Sequence, residues 1–359
     1  MGTQAFAGRA AVAGIGMTAL TRRSGRAELE LAAEACRAAC ADAGLRPGDV
    51  DAMLSYHLGD SAPVVQVARA LGVERLGWHN DIAGGGTQAA SILGDAAMLI
   101  HAGLARHVLI YRALNGRSGR RMNTVPTGPQ ERLTYGLAGP IPLFALAATR
   151  YLHETGLTEE HLHAVVAQSR ENARDNPRAL RREPLDLAGY LARPYVATPL
   201  RTVDCCQETD GACALLVSGE LDGPRVRAVV RGGGPGCSSM DRAADVSAIF
   251  SAYVAPMLWD ASGMRPADVD VMLPYDAYSW LVPRQLEDFG LAAREELGEY
   301  LLERRHAWLN PHGGLLSEGY VHGLNNVAQA VRELRTGRHE VALVTGFGGS
   351  YGSAALLTA

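Results

Sequence analysis

The sequence predicts an α/β protein built from two equivalent halves, each alternating short apolar strands with amphipathic helices. A diverged duplication is the first sign: Gly44-Leu-Arg-Pro-Gly-Asp-Val-Asp-Ala-Met-Leu54 matches Gly263-Met-Arg-Pro-Ala-Asp-Val-Asp-Val-Met-Leu273 at eight of eleven positions. A second match follows in the same order, because residues 84–115 run through a glycine-rich turn, a helix and a strand, and residues 313–349 repeat that plan. The alternation is the third sign, since strand-helix-strand order implies parallel sheets covered by helices.

In the first half, apolar periodicity predicts strands over 10–15, 52–56 and 108–111 and helices over 28–43 and 87–102. A strand-like run follows at 212–217. Residues 116–199 break the pattern with Arg-rich and Pro-bearing stretches around a helix at 157–172, and read as an insertion. The polar segment Ser218-Gly-Glu-Leu-Asp-Gly-Pro224 separates the halves, giving domains of 1–220 and 221–359, the second opening on a strand at 226–231 and holding another at 341–345.

The chain has 359 residues, 47% hydrophobic and 20% charged, enough for a large core. A net charge of -4 gives no overall attraction to nucleic acid or to an anionic membrane. No apolar run approaches the roughly 20 residues that span a bilayer, and residues 1–22 lack a signal peptide's features, so the expected location is the cytoplasm. All 34 basic residues are Arg, and the absence of Lys removes every mechanism through a lysine Schiff base. The six Cys form no Cys-x-x-Cys pair and no Cys/His group of zinc spacing, so no metal is expected.

Several segments, in order, resemble the thiolase superfamily, and within it the sterol-carrier-protein/lipid-transfer branch. They include Tyr135-Gly-Leu-Ala-Gly-Pro140, Asn172-Ala-Arg-Asp-Asn-Pro177, Asp204-Cys-Cys with Thr209-Asp-Gly-Ala212, and Gln285-Leu-Glu-Asp-Phe-Gly290. The C-terminal loops Asn310-Pro-His-Gly-Gly and Gly346-Phe-Gly-Gly-Ser-Tyr-Gly352 complete the set. The resemblance spans nearly the whole chain and implies a thiolase fold, two duplicated βαβαβ-type halves in a five-layer α-β-α-β-α arrangement.

Four departures change the chemistry. The turn that holds a thiolase's nucleophilic Cys reads Ala83-Gly-Gly-Gly-Thr-Gln. The family's His-Asp-Cys-Phe reads Tyr275-Asp-Ala-Tyr, its Gly-His-Pro reads Gly319-Tyr-Val, and its second Cys falls on Gly346. Without a thiolate no acyl-enzyme forms. Backbone N–H groups near Ala83, Gly84, Gly348 and Gly349 are expected to persist as an oxyanion hole, and such donors stabilise an enolate as well as a tetrahedral oxyanion. That is what carbon-carbon cleavage beta to a thioester needs.

The resemblance to steroid side-chain-cleaving aldolases implies retro-aldol cleavage of a beta-hydroxyacyl-CoA, a 17-hydroxy steroid side-chain ester giving a 17-ketosteroid and propionyl-CoA. Candidate bases are Tyr351 first, then Tyr320 and Tyr275, with His312 as a catalytic relay and His322 as a relay or substrate contact. A phenol titrates near 10, so a neighbouring Arg or His would have to activate it. Arg112, Arg117, Arg120 and Arg121 are candidates for the CoA phosphates, and Arg178, Arg181 and Arg182 form a second such group. Coenzyme A enters as part of the substrate, and no cofactor is expected. The family implies a homodimer and a small OB-fold/zinc-ribbon acyl-CoA-binding partner. Two other readings fit the same losses: a catalytically silent acyl-CoA-binding subunit, and an acyltransferase component served by another protein's Cys.

Overall fold

The computed structural model describes residues 3–119, 130–234, 240 and 243–359. The first half runs β1 (Ala11–Met17), α1 (Glu28–Asp42), β2 (Ala52–His57), α2 (Val64–Leu71), β3 (Trp78–Ala83), α3 (Ile92–His101) and β4 (His107–Asn115). Helices α4 (Ile141–Thr155) and α5 (Glu159–Ala173) lie in the insertion before β5 (Asp210–Ser218). The second half runs β6 (Arg225–Gly233), α6 (Phe250–Ser262), β7 (Val271–Leu273) and α7 (Leu281–Asp288). It ends with α8 (Leu324–Arg335), β8 (Val341–Phe347) and β9 (Tyr351–Thr358).

The strands join in the order β3-β2-β4-β5-β1-β6-β9-β8-β7. Strand β2 is parallel to β3 and β4, while β5 is antiparallel to both β4 and β1. In the second half β8 is parallel to β7 and antiparallel to β9, which is antiparallel to β6. The two halves thus share one plan, reflected about β1 and β6, which meet at the single pair Ala11 and Arg225. The sheets are mixed rather than parallel, because the last strand of each half returns against the strand before it.

The duplication repeats down to its hydrogen bonds. Gly44 and Gly263 both end a helix at positive φ (71° and 68°). Asp49 then accepts from Arg46 N, and Asp268 from Arg265 N, each at 2.8 Å, so the same carboxylate closes the same short turn. Asp51 receives the amides of Arg106 and His107 at the entry to β4, and Asp270 those of Glu340 and Val341 at the entry to β8. A short link, residues 219–224, joins β5 to β6.

Helices α3 and α8 lie between the two sheets, packed on strands of both. Helices α1 and α2 cover the outer face of the first sheet, and α6, α7 and the inserted α4 and α5 cover the second. This is the five-layer arrangement. Strand β3 was not legible, because Trp78-His-Asn-Asp-Ile-Ala83 is polar and forms the exposed sheet edge. The helix expected over 87–102 divides into a 3-10 turn at Gly86–Gln88 and α3. No helix among the described residues is long and apolar enough to cross a membrane.

Helix α1 meets β1 backbone to backbone, since a Cβ at Gly16 would lie 2.1 Å from Ala35 O and 2.5 Å from Ala39 N. Gly16→Ala is expected to lower stability in urea titration by about 1–3 kcal/mol, the cost of overpacking. Gly48→Ala, with no atom within 4 Å of its Cβ position, serves as the control and should change it by less than about 0.5 kcal/mol.

Candidate active site

At the end of β3 the chain turns through Gly84 to Gly86 into the 3-10 turn that leads to α3. Packing leaves this turn no room for a side chain at Gly86, where a Cβ would lie 2.2 Å from Tyr275 Oη and 2.6 Å from Phe347 O. The position matched to the family's second Cys is equally closed. A Cβ at Gly346 would lie 2.5 Å from Gly86 O and 2.6 Å from Ser353 Oγ. Packing therefore excludes a side chain at Gly86 and at Gly346, while Ala83 at the head of the turn is exposed.

Above the turn stand two tyrosines from different loops, Tyr275 just after β7 and Tyr320 ahead of α8. Their hydroxyls share a 2.8 Å hydrogen bond, and their rings meet edge to face at 6.3 Å. Burial pushes both phenols well above their usual range, so at neutral pH both are protonated. The Tyr275 backbone is pinned by Thr345, whose hydroxyl accepts from Tyr275 N at 2.8 Å. Tyr320 N donates to Thr209 Oγ1, and Thr209 Oγ1 donates to Tyr320 O.

His322 packs edge to face on Tyr320 at 4.9 Å and is 4% exposed. Its Nδ1 accepts from Arg112 Nε at 3.1 Å and Nη2 at 2.8 Å. A neutral imidazole whose Nδ1 accepts carries its proton on Nε2, and Nε2 lies 3.6 Å from where a Cβ at Gly85 would stand. The ring therefore presents an N–H to the glycine turn. Burial, and next Arg112, lower its pKa to about 3. Arg112 is wholly buried in β4 and bonded to Asp60 at 2.7 Å. His322 holds φ at 46°, a left-handed conformation that costs of order 1–3 kcal/mol in a non-glycine residue and clusters at functional sites. Tyr56 Oη fixes that peptide by donating to His322 O at 2.9 Å.

The remaining candidates lie outside the Tyr275–Tyr320 hydrogen bond. Tyr351 opens β9, 47% exposed, on the strand face that also carries Ser353. His312 is buried beside Asn326 and Glu318, at 3.2 and 3.6 Å, and these rather than a tyrosine are its partners. Arg112 was a phosphate candidate, but its guanidinium is committed to Asp60, His322 and Ala113 O inside the core. Arg117 is exposed just after β4, and Arg120 and Arg121 lie outside the described residues.

Of the expected oxyanion donors, Gly84 N donates to His57 O and Gly348 N to Tyr351 O, so those two amides are taken. The amides of Gly85, Gly86 and Thr87, at the open start of the 3-10 turn, have no backbone partner among the described residues. Exposed Ala83 accepts from Gln88 through its carbonyl, and Gly349 packs beside Met240 and Phe144. Burial raises the Cys205 and Cys213 thiols to about 12, and neither is a nucleophile at neutral pH. Sequence reasoning missed Asp60 and the buried Asp60–Arg112–His322 contacts. The available signal was a charge inside the apolar run of β4. Beside the tyrosines, Phe347, Phe144 and Tyr278 form an aromatic wall with centroids 4.9 to 6.1 Å apart.

Residues 237–358 match the thiolase C-terminal domain-like family. The chain is 35% identical, over 92% of each sequence, to the 17-hydroxy-3-oxo-4-pregnene-20-carboxyl-CoA lyase of Mycobacterium tuberculosis. It is also 35% identical to the steroid side-chain-cleaving aldolase of Thermomonospora curvata, over 91% of its own length and 90% of that relative's. The solved Ltp2-ChsH2(DUF35) aldolase superposes on 99% of both chains with a TM-score of 0.91 at 34% identity. The fold, together with 35% identity to this lyase and this aldolase over nine-tenths of the chain, defines a thiolase-fold carbon-carbon lyase. The chain belongs to the family of steroid side-chain-cleaving aldolases, in the lipid-transfer branch of the thiolase superfamily.

Because the fold lowers the pKa of His322 from 6.5 to about 3, the unfolded chain binds a proton that the native state refuses between those values. This contribution to stability is present above pH 6.5 and is lost as pH falls toward 3. His322→Gln is expected to flatten the loss of urea midpoint between about pH 6.5 and 4.5, and an unchanged slope would mean that native His322 is already charged.

Proposed function

We propose that the protein cleaves the bond between the alpha and beta carbons of a 17-hydroxy steroid side-chain CoA ester, giving a 17-ketosteroid and propionyl-CoA. The observation that carries this reading is the Tyr275–Tyr320 hydroxyl pair standing over a glycine turn that carries no Cys. The hydroxyl proton leaves the beta carbon's oxygen and a carbonyl forms there. The electrons of the broken carbon-carbon bond move onto the thioester as an enolate, and a proton returns to the alpha carbon.

No proton is gained or lost overall. Two protonated phenols therefore serve as a relay: Tyr320 takes the substrate proton while giving its own to Tyr275, Tyr275 gives its own to the alpha carbon of the enolate, and no tyrosinate needs to accumulate. This relay, rather than half-exposed Tyr351, is our choice for the base. The His322 Nε2–H and the amides of Gly85 and Gly86 face the enolate oxygen, a preorganised set of donors in a site shielded from water. The aromatic wall of Phe347, Phe144 and Tyr278 suits a rigid, apolar acyl group. Coenzyme A enters with the substrate, and this reading uses no other cofactor.

We further propose a homodimer formed through β3, and a DUF35-type acyl-CoA-binding partner of OB-fold/zinc-ribbon architecture, acting together in the cytoplasm. The support for the dimer is an open sheet edge with Trp78 44% exposed, above an apolar hollow that includes Met98 and Leu104. The support for the partner is the solved relative, which is itself an Ltp2-ChsH2(DUF35) assembly.

Product analysis with the steroid CoA ester, the partner co-expressed, tests the chemistry. Wild type should release ketosteroid and propionyl-CoA. Tyr320→Phe and Tyr275→Phe are each expected to lower kcat by about 100-fold or more, and His322→Gln by about 100-fold. Tyr351→Phe should stay within about 10-fold on the same scale; a larger loss there than in Tyr320→Phe would move the base to Tyr351.

Light scattering tests the dimer: wild type should elute as a dimer and Trp78→Asp as a monomer. A wild-type monomer would refute the β3 interface.

A further inference from the structure

On the far side of the segment that carries Tyr320 lies a cavity of about 810 Å³. It is lined by six arginines, Arg22, Arg170, Arg178, Arg181, Arg182 and Arg193, against a single acid, Glu183. No residue of the glycine turn, and none of Tyr275, Tyr320 or His322, lines it. Arg178 is neutralised by Glu318 at 2.9 Å. The others have no ion-pair partner among the described residues. Arg181 reaches only Leu316 O at 3.5 Å, and Arg170 reaches only Glu183 O at 3.3 Å.

Arg170 is the telling group. It is 9% exposed, and its Nε has no hydrogen-bond partner. A buried guanidinium left without a carboxylate is costly, and gathering further guanidiniums beside it adds repulsion. Burial, then Arg181 and Arg193, lower its pKa to about 10. Arg22, Arg182 and Arg193 ring the exposed mouth. Such a fork-bearing, acid-poor cavity matches anions with several oxygens, and its volume exceeds what one phosphate fills.

We propose that this cavity binds an organic polyphosphate, a ligand with two or more phosphoryl groups. Two sources carry that chemistry: the 3′-phospho-ADP end of coenzyme A and a free nucleoside polyphosphate. The first source rests on the acyl-CoA reading given above, and the second does not. The cavity wall is stitched to the catalytic segment, since Leu180 N donates to Glu318 O at 3.1 Å and Arg181 N to Ser317 O at 3.0 Å. Ligand in the cavity therefore bears on the strand of chain that positions Tyr320.

Calorimetric titration of the full chain with 3′,5′-ADP, coenzyme A, ATP and inorganic phosphate tests the site without requiring turnover. At least one polyphosphate should bind, with affinity falling at least 10-fold in Arg182→Glu and again in Arg193→Glu, surface changes that leave the core intact. Arg170→Met should abolish binding if it folds. Preference for coenzyme A and 3′,5′-ADP, together with a raised KM and unchanged kcat for the acyl-CoA in these variants, identifies the substrate's own phosphates. Preference for ATP, with KM unchanged, identifies a free nucleotide. No binding by any polyphosphate, binding equal to that of inorganic phosphate, or binding indifferent to both surface variants would overturn the proposal. Cleavage activity that survives without polyphosphate binding would sink this site and leave the aldolase reading standing.

Discussion

A guanidinium with no exposed surface sits in the middle of β4, and the arrangement around the glycine turn follows from how it is satisfied. Arg112 could not remain there without a carboxylate, and Asp60 supplies one from the loop after β2. Once paired, Arg112 has donors left to hold His322 by Nδ1. That single choice fixes the tautomer, adds to burial in keeping the imidazole neutral, and turns an N–H toward the glycine turn. It also helps hold a left-handed residue directly before α8. The chain Asp60–Arg112–His322 thus spans both halves of the molecule and locks the first sheet to the loop that carries Tyr320.

The second constraint is steric. In a thiolase the glycine turn must leave space for a reactive side chain. Here the space above Gly86 is filled by the Tyr275 hydroxyl, and that beside Gly346 by Gly86 O and Ser353 Oγ. A neutral hydroxyl pair replaces the thiol and the family's His on the same scaffold. The replacement suits a reaction that redistributes one proton and forms no covalent intermediate.

The duplicated halves have diverged unequally. Both keep the helix-ending glycine, the aspartate-closed turn and the aspartate that receives the next strand's amides. At the position of β3 the second half has no strand among the described residues, only a parallel bridge between Met272 of β7 and Leu309. The chain after β7 brings Tyr275 and Tyr278 against Phe347 and Phe144. The first half thus keeps a strand at its edge, and the second keeps a single bridge there.

Sequence by itself determined the repeated plan, the absence of any Lys, and the resemblance that singled out Tyr275, Tyr320 and His322 as candidates. These follow from residue identity and from periodicity, which are local properties. It missed β3, whose residues carry no apolar alternation because the strand lies at an exposed edge. It also offered Arg112 for a phosphate, because a sequence records that a residue is present and not what it faces. Tertiary structure alone decided that Tyr275 and Tyr320, 45 residues apart, share one hydrogen bond. It alone decided that Arg112 points inward to His322, 210 residues away. Hydrogen bonding and charge neutralisation act over a few ångströms, and only the fold sets which residues lie within that range.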